Sequence, residues 1–181
     1  MRVFAGMAAT AILFAACSSP AAVSTPTPTA SPTASPTASP VPTVANVFKA
    51  DLKASNETPA PITDAEASCA GTATVTLNPA SVKFDVTITG CPASTVINIG
   101  HIHEGAAGVG GAVKISTGLV PGELTLTGGG ATFSKTATPA GPPVWDAALI
   151  TAIMANPSGY YVNFHSALHT GGVIRGQLTK A

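Results

Sequence analysis

Charge is scarce in this chain. Asp, Glu, Lys and Arg make up 9% of its 181 residues, eight acidic against eight basic, and the formal net charge is zero. There is no basic run, and aromatic residues reach only 5%. Nucleic acid needs a cationic face to displace the counterions on its phosphates, and single strands also need aromatic platforms, so nucleic acid is excluded as a partner. The shortage of carboxylates argues equally against a calcium protein built on acidic loops. Cysteine occurs three times and never as Cys-x-x-Cys, and no serine sits in a Gly-x-Ser-x-Gly turn. The glycine-rich stretch from Gly105 to Gly111 leads into a strand pattern and carries no Lys-Ser/Thr, so it is a flexible connection rather than a phosphate loop. With these patterns missing, no enzyme is expected.

What the chain does have begins at its N-terminus. Arg2 is the only charge before Lys49, and an apolar run from Val3 to Ala16 follows it, the layout of a secretory signal peptide. As a helix that run would rise about 21 Å, short of the roughly 30 Å needed to remain as an anchor. It ends in Leu13-Phe14-Ala15-Ala16-Cys17-Ser18, which resembles the bacterial lipobox. Phe14 departs from the usual Leu, Val or Ile, and ordinary signal-peptidase cleavage with secretion is the alternative. Lipidation of Cys17 would make the membrane a partner through acyl chains, which supply more than the two signals stable anchoring needs. From there to residue 46 the chain is almost wholly Ser, Thr, Pro, Ala and Val, with a repeat visible from Ala30 to Pro40. Such a stretch cannot bury enough apolar surface to offset its ordering entropy, and its prolines favour an extended spacer. The expected organisation is a signal peptide over 1–16, a lipidated Cys17 and spacer over 17–46, and one domain over 47–181.

Thr, Gly, Val and Ala dominate the domain, and period-two alternation recurs along it. Phe48, Ala50 and Leu52 alternate with Lys49, Asp51 and Lys53. The runs 71–77 and 82–89 alternate around Asn78-Pro79-Ala80-Ser81, which makes them a hairpin. Further strands are expected over 96–103, 112–116, 123–127, 131–138, 160–165 and 173–179. One helix is expected from Val144 to Ala155, preceded by Pro142 and Pro143, with Trp145, Leu149 and Ile153 on its core face and Asn156-Pro157 as its stop. The fold class is all-β, a sandwich or barrel with one short helix. Cys69 and Cys91 flank the hairpin at positions summing to 160, whereas matching its apolar faces gives 159. One extra residue, a bulge at Gly90, brings the pair into line and predicts a disulfide.

Three later segments carry polar side chains in β-strand patterns. They are Gly100-His101-Ile102-His103-Glu104-Gly105, Tyr160-Tyr161-Val162-Asn163-Phe164-His165-Ser166 and Gly171-Gly172-Val173-Ile174-Arg175-Gly176-Gln177-Leu178. With Phe48 and the early Asn56-Glu57-Thr58-Pro59, their order and spacing resemble the CHRD domain, named from chordin. Two positions depart from that pattern: Val173 stands where the family has Glu, and Ser166 where it has Thr. The resemblance implies an all-β, immunoglobulin-like domain, which in chordin accompanies modules that bind growth factors. It implies no enzymatic activity.

The histidines allow two readings. His101 and His103 lie two apart on a strand and project to one face, in line with Ile97 and Ile99. In the first reading they join Asn163, Arg175 and Glu104 in a polar cluster that ties strand ends together. The chain is then a surface-tethered binding or structural module with no cofactor, whose partner is an extracellular protein or an envelope polymer. In the second they bind a single copper or zinc ion with His165 as third ligand, and the protein is metal-dependent and open to redox chemistry. The motif resembles the His-Val-His of copper–zinc superoxide dismutase, but four histidines are too few for that two-metal site.

Overall fold

Alternation of apolar and polar residues decides the strands. The structure, a computed structural model that describes residues 46–181, contains nine of them, all paired antiparallel. The segments assigned to signal peptide, Cys17 and spacer lie outside the described residues, except for Asn46. In chain order the strands are β1 (Asn46–Lys53), β2 (Ala70–Asn78), β3 (Ser81–Thr89), β4 (Ile97–Glu104), β5 (Val113–Ser116), β6 (Ala131–Ala137), β7 (Tyr160–Ser166), β8 (Ile174–Gln177) and β9 (Thr179–Lys180). The helix α1 (Ala147–Ala155) lies between β6 and β7. The sheet runs β5-β4-β7-β8-β1-β2-β3-β6, with β9 also on β1, and curls into a nearly closed barrel. No helix among the described residues is long and apolar enough to cross a membrane.

Phe48, Leu52, Val75, Leu77, Phe84, Ile88, Ile102, Val162 and Phe164 meet in one core. Each such side chain contributes about 1.5–3 kcal/mol by leaving water, so the strands whose alternation is clean are held firmly in register. In the hairpin, Val75 faces Phe84 and Leu77 faces Val82, and the same register continues to Ala70 opposite Thr89. Cys69 and Cys91 then form the expected disulfide. Gly90 supplies the extra residue, with φ of 72°, a left-handed conformation that a side chain disfavours. The run 173–179 forms two strands rather than one. It passes β7 and β1 as β8, and Leu178 separates it from β9. Gly176 allows that passage, because a Cβ there would lie 2.5 Å from the Asp51 carbonyl oxygen of β1.

Three expectations fail, each for a local reason. Residues 123–127 form no strand; apart from a bridge between Thr127 and Gly130, they stay irregular. Gly122, Gly128 and Gly129 take positive φ around them, and β6 already occupies the edge of β3. The helix starts at Ala147 rather than Val144, because the Asp146 carboxylate caps it by accepting the Leu149 N–H at 2.9 Å. Of its expected core face, Trp145 precedes the helix and is buried, Ile153 is buried, and Leu149 is half-buried beside the fully buried Ile150. Finally, Ile97 does not share a face with His101. A register shift between Ile97 and Ile99 turns Ile97 into the core, where it is wholly buried.

Candidate functional site

β7 is buried at every position, although only one of its faces can meet the core. Val162 and Phe164 point into the barrel. Tyr161, Asn163 and His165 therefore point outward, and loops rather than water cover them. Pairing extends this outward face sideways. His103 lies opposite Tyr161, which lies opposite Gln177; His101 lies opposite Asn163, which lies opposite Arg175. The alternation of β4, β7 and β8 thus sets two histidines, then Tyr, Asn and His, then Arg and Gln on one patch of the barrel wall.

Arg175 is among the most buried side chains of the domain, at 2% exposure. Its guanidinium donates to the carbonyls of Ala106 at 2.8 Å and Val109 at 2.9 Å, to the Thr58 hydroxyl at 3.0 Å and to the Gln177 side-chain oxygen at 3.3 Å. It also lies over the Tyr161 ring, 3.4 Å from the centroid, a cation–π contact. The Gln177 amide donates to the carbonyls of Gly105, Ser158 and Tyr160. The Gly105–Gly111 segment is therefore not the flexible connection its composition predicts. A buried planar donor fork ties it to the wall.

Each histidine of the patch is held individually. His103 Nδ1 is 3.0 Å from the Gly111 carbonyl oxygen, and its ring stacks on Tyr161 with centroids 4.9 Å apart and planes 9° from parallel. His165 Nδ1 is 2.8 Å from the Thr170 carbonyl oxygen, and its Nε2 is 3.1 Å from His101 Nδ1. Burial pushes all three imidazoles below the ordinary histidine value, and His101 falls to about 4 because His165 and His103 also disfavour a further charge beside them. All three are neutral at physiological pH.

Glu104 does not belong to this cluster. It follows His103 on the strand and so faces the other way, in an ion pair with Lys114 at 2.7 Å. The carboxylate that does belong is Glu57, 6% exposed, which accepts the Asn163 amide N–H at 3.5 Å. Its other oxygen meets no hydrogen-bonding partner within the protein. The signal for Glu57 was the Asn56-Glu57-Thr58-Pro59 segment, whose Thr58 binds Arg175 and whose Asn56 amide donates to the Arg175 carbonyl oxygen. His169 lies apart from the patch, with Nε2 2.9 Å from Asp64 Oδ2. Val173, where the family pattern has Glu, is fully buried among core residues.

Burial drives the Glu57 carboxyl up to about 7, against the opposing pull of the Arg175 charge and the Asn163 hydrogen bond. The folded chain then keeps its proton between about pH 4.5 and 7 while the unfolded chain loses it, so stability from this group is full below 4.5 and falls as pH rises to 7. Glu57→Gln removes that dependence. Relative to wild type, the variant is expected to gain about 3 kcal/mol between about pH 4 and pH 8, read from denaturation curves at each pH. A pH-independent difference would show that Glu57 ionises freely in the fold.

An antiparallel barrel stapled by a disulfide, with a polar wall on its outer face, is a module of the extracellular type. The family profile of the CHRD domain matches residues 48–178, and the chain belongs to the CHRD domain family. No curated protein and no solved structure matches it.

Proposed function

We propose that this chain is exported and held on the outer surface of a bacterial membrane by a lipid on Cys17, where its CHRD domain serves as a binding or structural module without turnover. The observation that carries the reading is the Cys69–Cys91 disulfide in a CHRD domain. Such bonds persist in oxidising compartments outside the cytoplasm. The charged start, short apolar run and small residues before Cys17 supply a route there, and the Ser/Thr/Pro/Ala spacer supplies stand-off from the surface. Arg175 and Gln177 spend their donors on loop carbonyls, which supports a structural or binding role for the polar wall. An extracellular protein or an envelope polymer fits a module of this kind.

Mass spectrometry of the mature protein from a bacterial host tests the tether. The expected product begins at Cys17 with a diacylglyceryl thioether and sediments with membranes, while Cys17→Ala loses the lipid and leaves the membrane fraction. A mature chain that begins elsewhere and carries no lipid would contradict the tether and leave secretion in its place.

A further inference from the structure

We propose that His101, His103 and His165 form a three-imidazole site for one copper ion on the outer wall of the barrel. One ring nitrogen from each residue lies within 4.8 Å of the others. Two nitrogens bound 2.1 Å from one ion are about 3.4 Å apart in a tetrahedron and at most about 4.2 Å apart in any geometry, so shifts of about half an ångström per side chain close the set. The strands fix the set in place, since His101 and His103 are alternate residues of β4 and His165 lies on the neighbouring β7.

Hydrogen bonding determines which nitrogens are free. A carbonyl oxygen only accepts, so His103 Nδ1 and His165 Nδ1 carry their protons toward Gly111 and Thr170. Both Nε2 atoms are then lone pairs. That of His103 is buried and meets no partner within the protein. That of His165 faces His101 Nδ1 at 3.1 Å, so the His101 proton sits among lone pairs, where a cation would sit. For the ion to bind, His101 Nδ1 gives up its proton and Nε2 of the same half-exposed ring takes one up, leaving the ring neutral. The backbone bonds to the other two rings are what orient metal-binding imidazoles and raise their basicity.

The donor set selects copper. Among divalent ions, imidazole sites bind Cu2+ ahead of Zn2+ in the Irving–Williams order. No carboxylate joins this group of ligands, and the Arg175 guanidinium lies over Tyr161, the ring on which His103 stacks. A doubly charged ion would keep its whole charge in a partly buried, cation-flanked site, whereas Cu+ brings half of it. The site uses residues of the domain alone and stands whether or not the chain is tethered.

The test uses the full chain, untagged, stripped with a chelator and carrying Cys17→Ser so that no thiol competes. It is challenged separately with Cu2+ plus ascorbate, which keeps copper as Cu+, and with Zn2+, and bound metal is counted after excess is removed. One copper per chain is expected, with zinc at least about 10-fold weaker. His101→Gln and His103→Gln should each weaken copper at least about 100-fold while keeping the wild-type circular dichroism, and His169→Gln should leave it unchanged. Oxidised in place, the bound copper should show coupling to imidazole nitrogens by electron paramagnetic resonance, a readout independent of any variant. Copper below about 0.2 per chain, retained affinity in both β4 variants, zinc as the tighter metal, or copper lost with His169 would each overturn the proposal.

Discussion

Arg175→Ala is expected to destabilise the domain by about 3–5 kcal/mol, a large share of the 5–15 kcal/mol typical of a folded domain. The reason lies in what the guanidinium leaves behind. Val109 loses the donor to its carbonyl, Ala106 keeps only the Val109 N–H, Thr58 and Gln177 lose a partner, and Tyr161 loses the cation on its ring. Glu57 also loses the positive charge that favours its ionised form, so the cost grows as pH rises through its ionisation near 7. Arg175→Lys should recover less than half the loss, because a point charge with a tetrahedral head cannot serve donors and ring at once. Guanidinium denaturation gives the magnitude. Hydrogen exchange gives the location, with protection lost first over residues 105–111. A loss below about 1 kcal/mol would show that the loop holds itself in place without the arginine.

The second large effect is expected at the disulfide that closes the β2–β3 hairpin. Opening the Cys69–Cys91 bond, by reduction or by the double substitution Cys69→Ala and Cys91→Ala, should cost about 3 kcal/mol through the freedom regained by the unfolded chain. The bond spans 22 residues and closes a hairpin whose own register is already secured by Val75, Leu77, Val82 and Phe84. Its native-state contribution is therefore small, and the effect should appear in the denaturation midpoint with the fold retained. Both cysteines are nearly fully buried, which slows reduction of the folded state. Equal midpoints with and without a thiol reductant, after unfolding and refolding in each, would contradict this account.

These two sites differ in how visible they were before folding. The hairpin was legible because it is local: two alternating runs joined by Asn78-Pro79-Ala80-Ser81 leave one apolar register, and Gly90 absorbs the odd residue. The shared face of His101 and His103 was legible for the same reason, since period two on a strand needs no tertiary information. Arg175 and Asn163 could be placed in the cluster because each lies on a strand with the right alternation. Glu57 could not, because it reaches the wall from an irregular segment 106 residues away from its partner Asn163. Glu104 was drawn into the cluster by adjacency to His103, yet the pleat sends neighbouring residues to opposite faces. The loop at 105–111 looked mobile from its glycines, and only the fold shows that a buried fork from β8 holds it. Residues 123–127 alternate like a strand, but β6 takes the edge of β3 and glycines of positive φ flank them, so they stay irregular.

The outer wall of this CHRD domain holds its imidazoles in set orientations, neutral and aimed at one another. Long-range proton–nitrogen correlation spectra of the metal-free protein at pH 7 test it most directly, since they report which ring nitrogen carries the proton. His103 and His165 are expected as neutral rings protonated at Nδ1, each bonded to its backbone carbonyl. Rings that average between tautomers, or that carry the proton on Nε2, would contradict it.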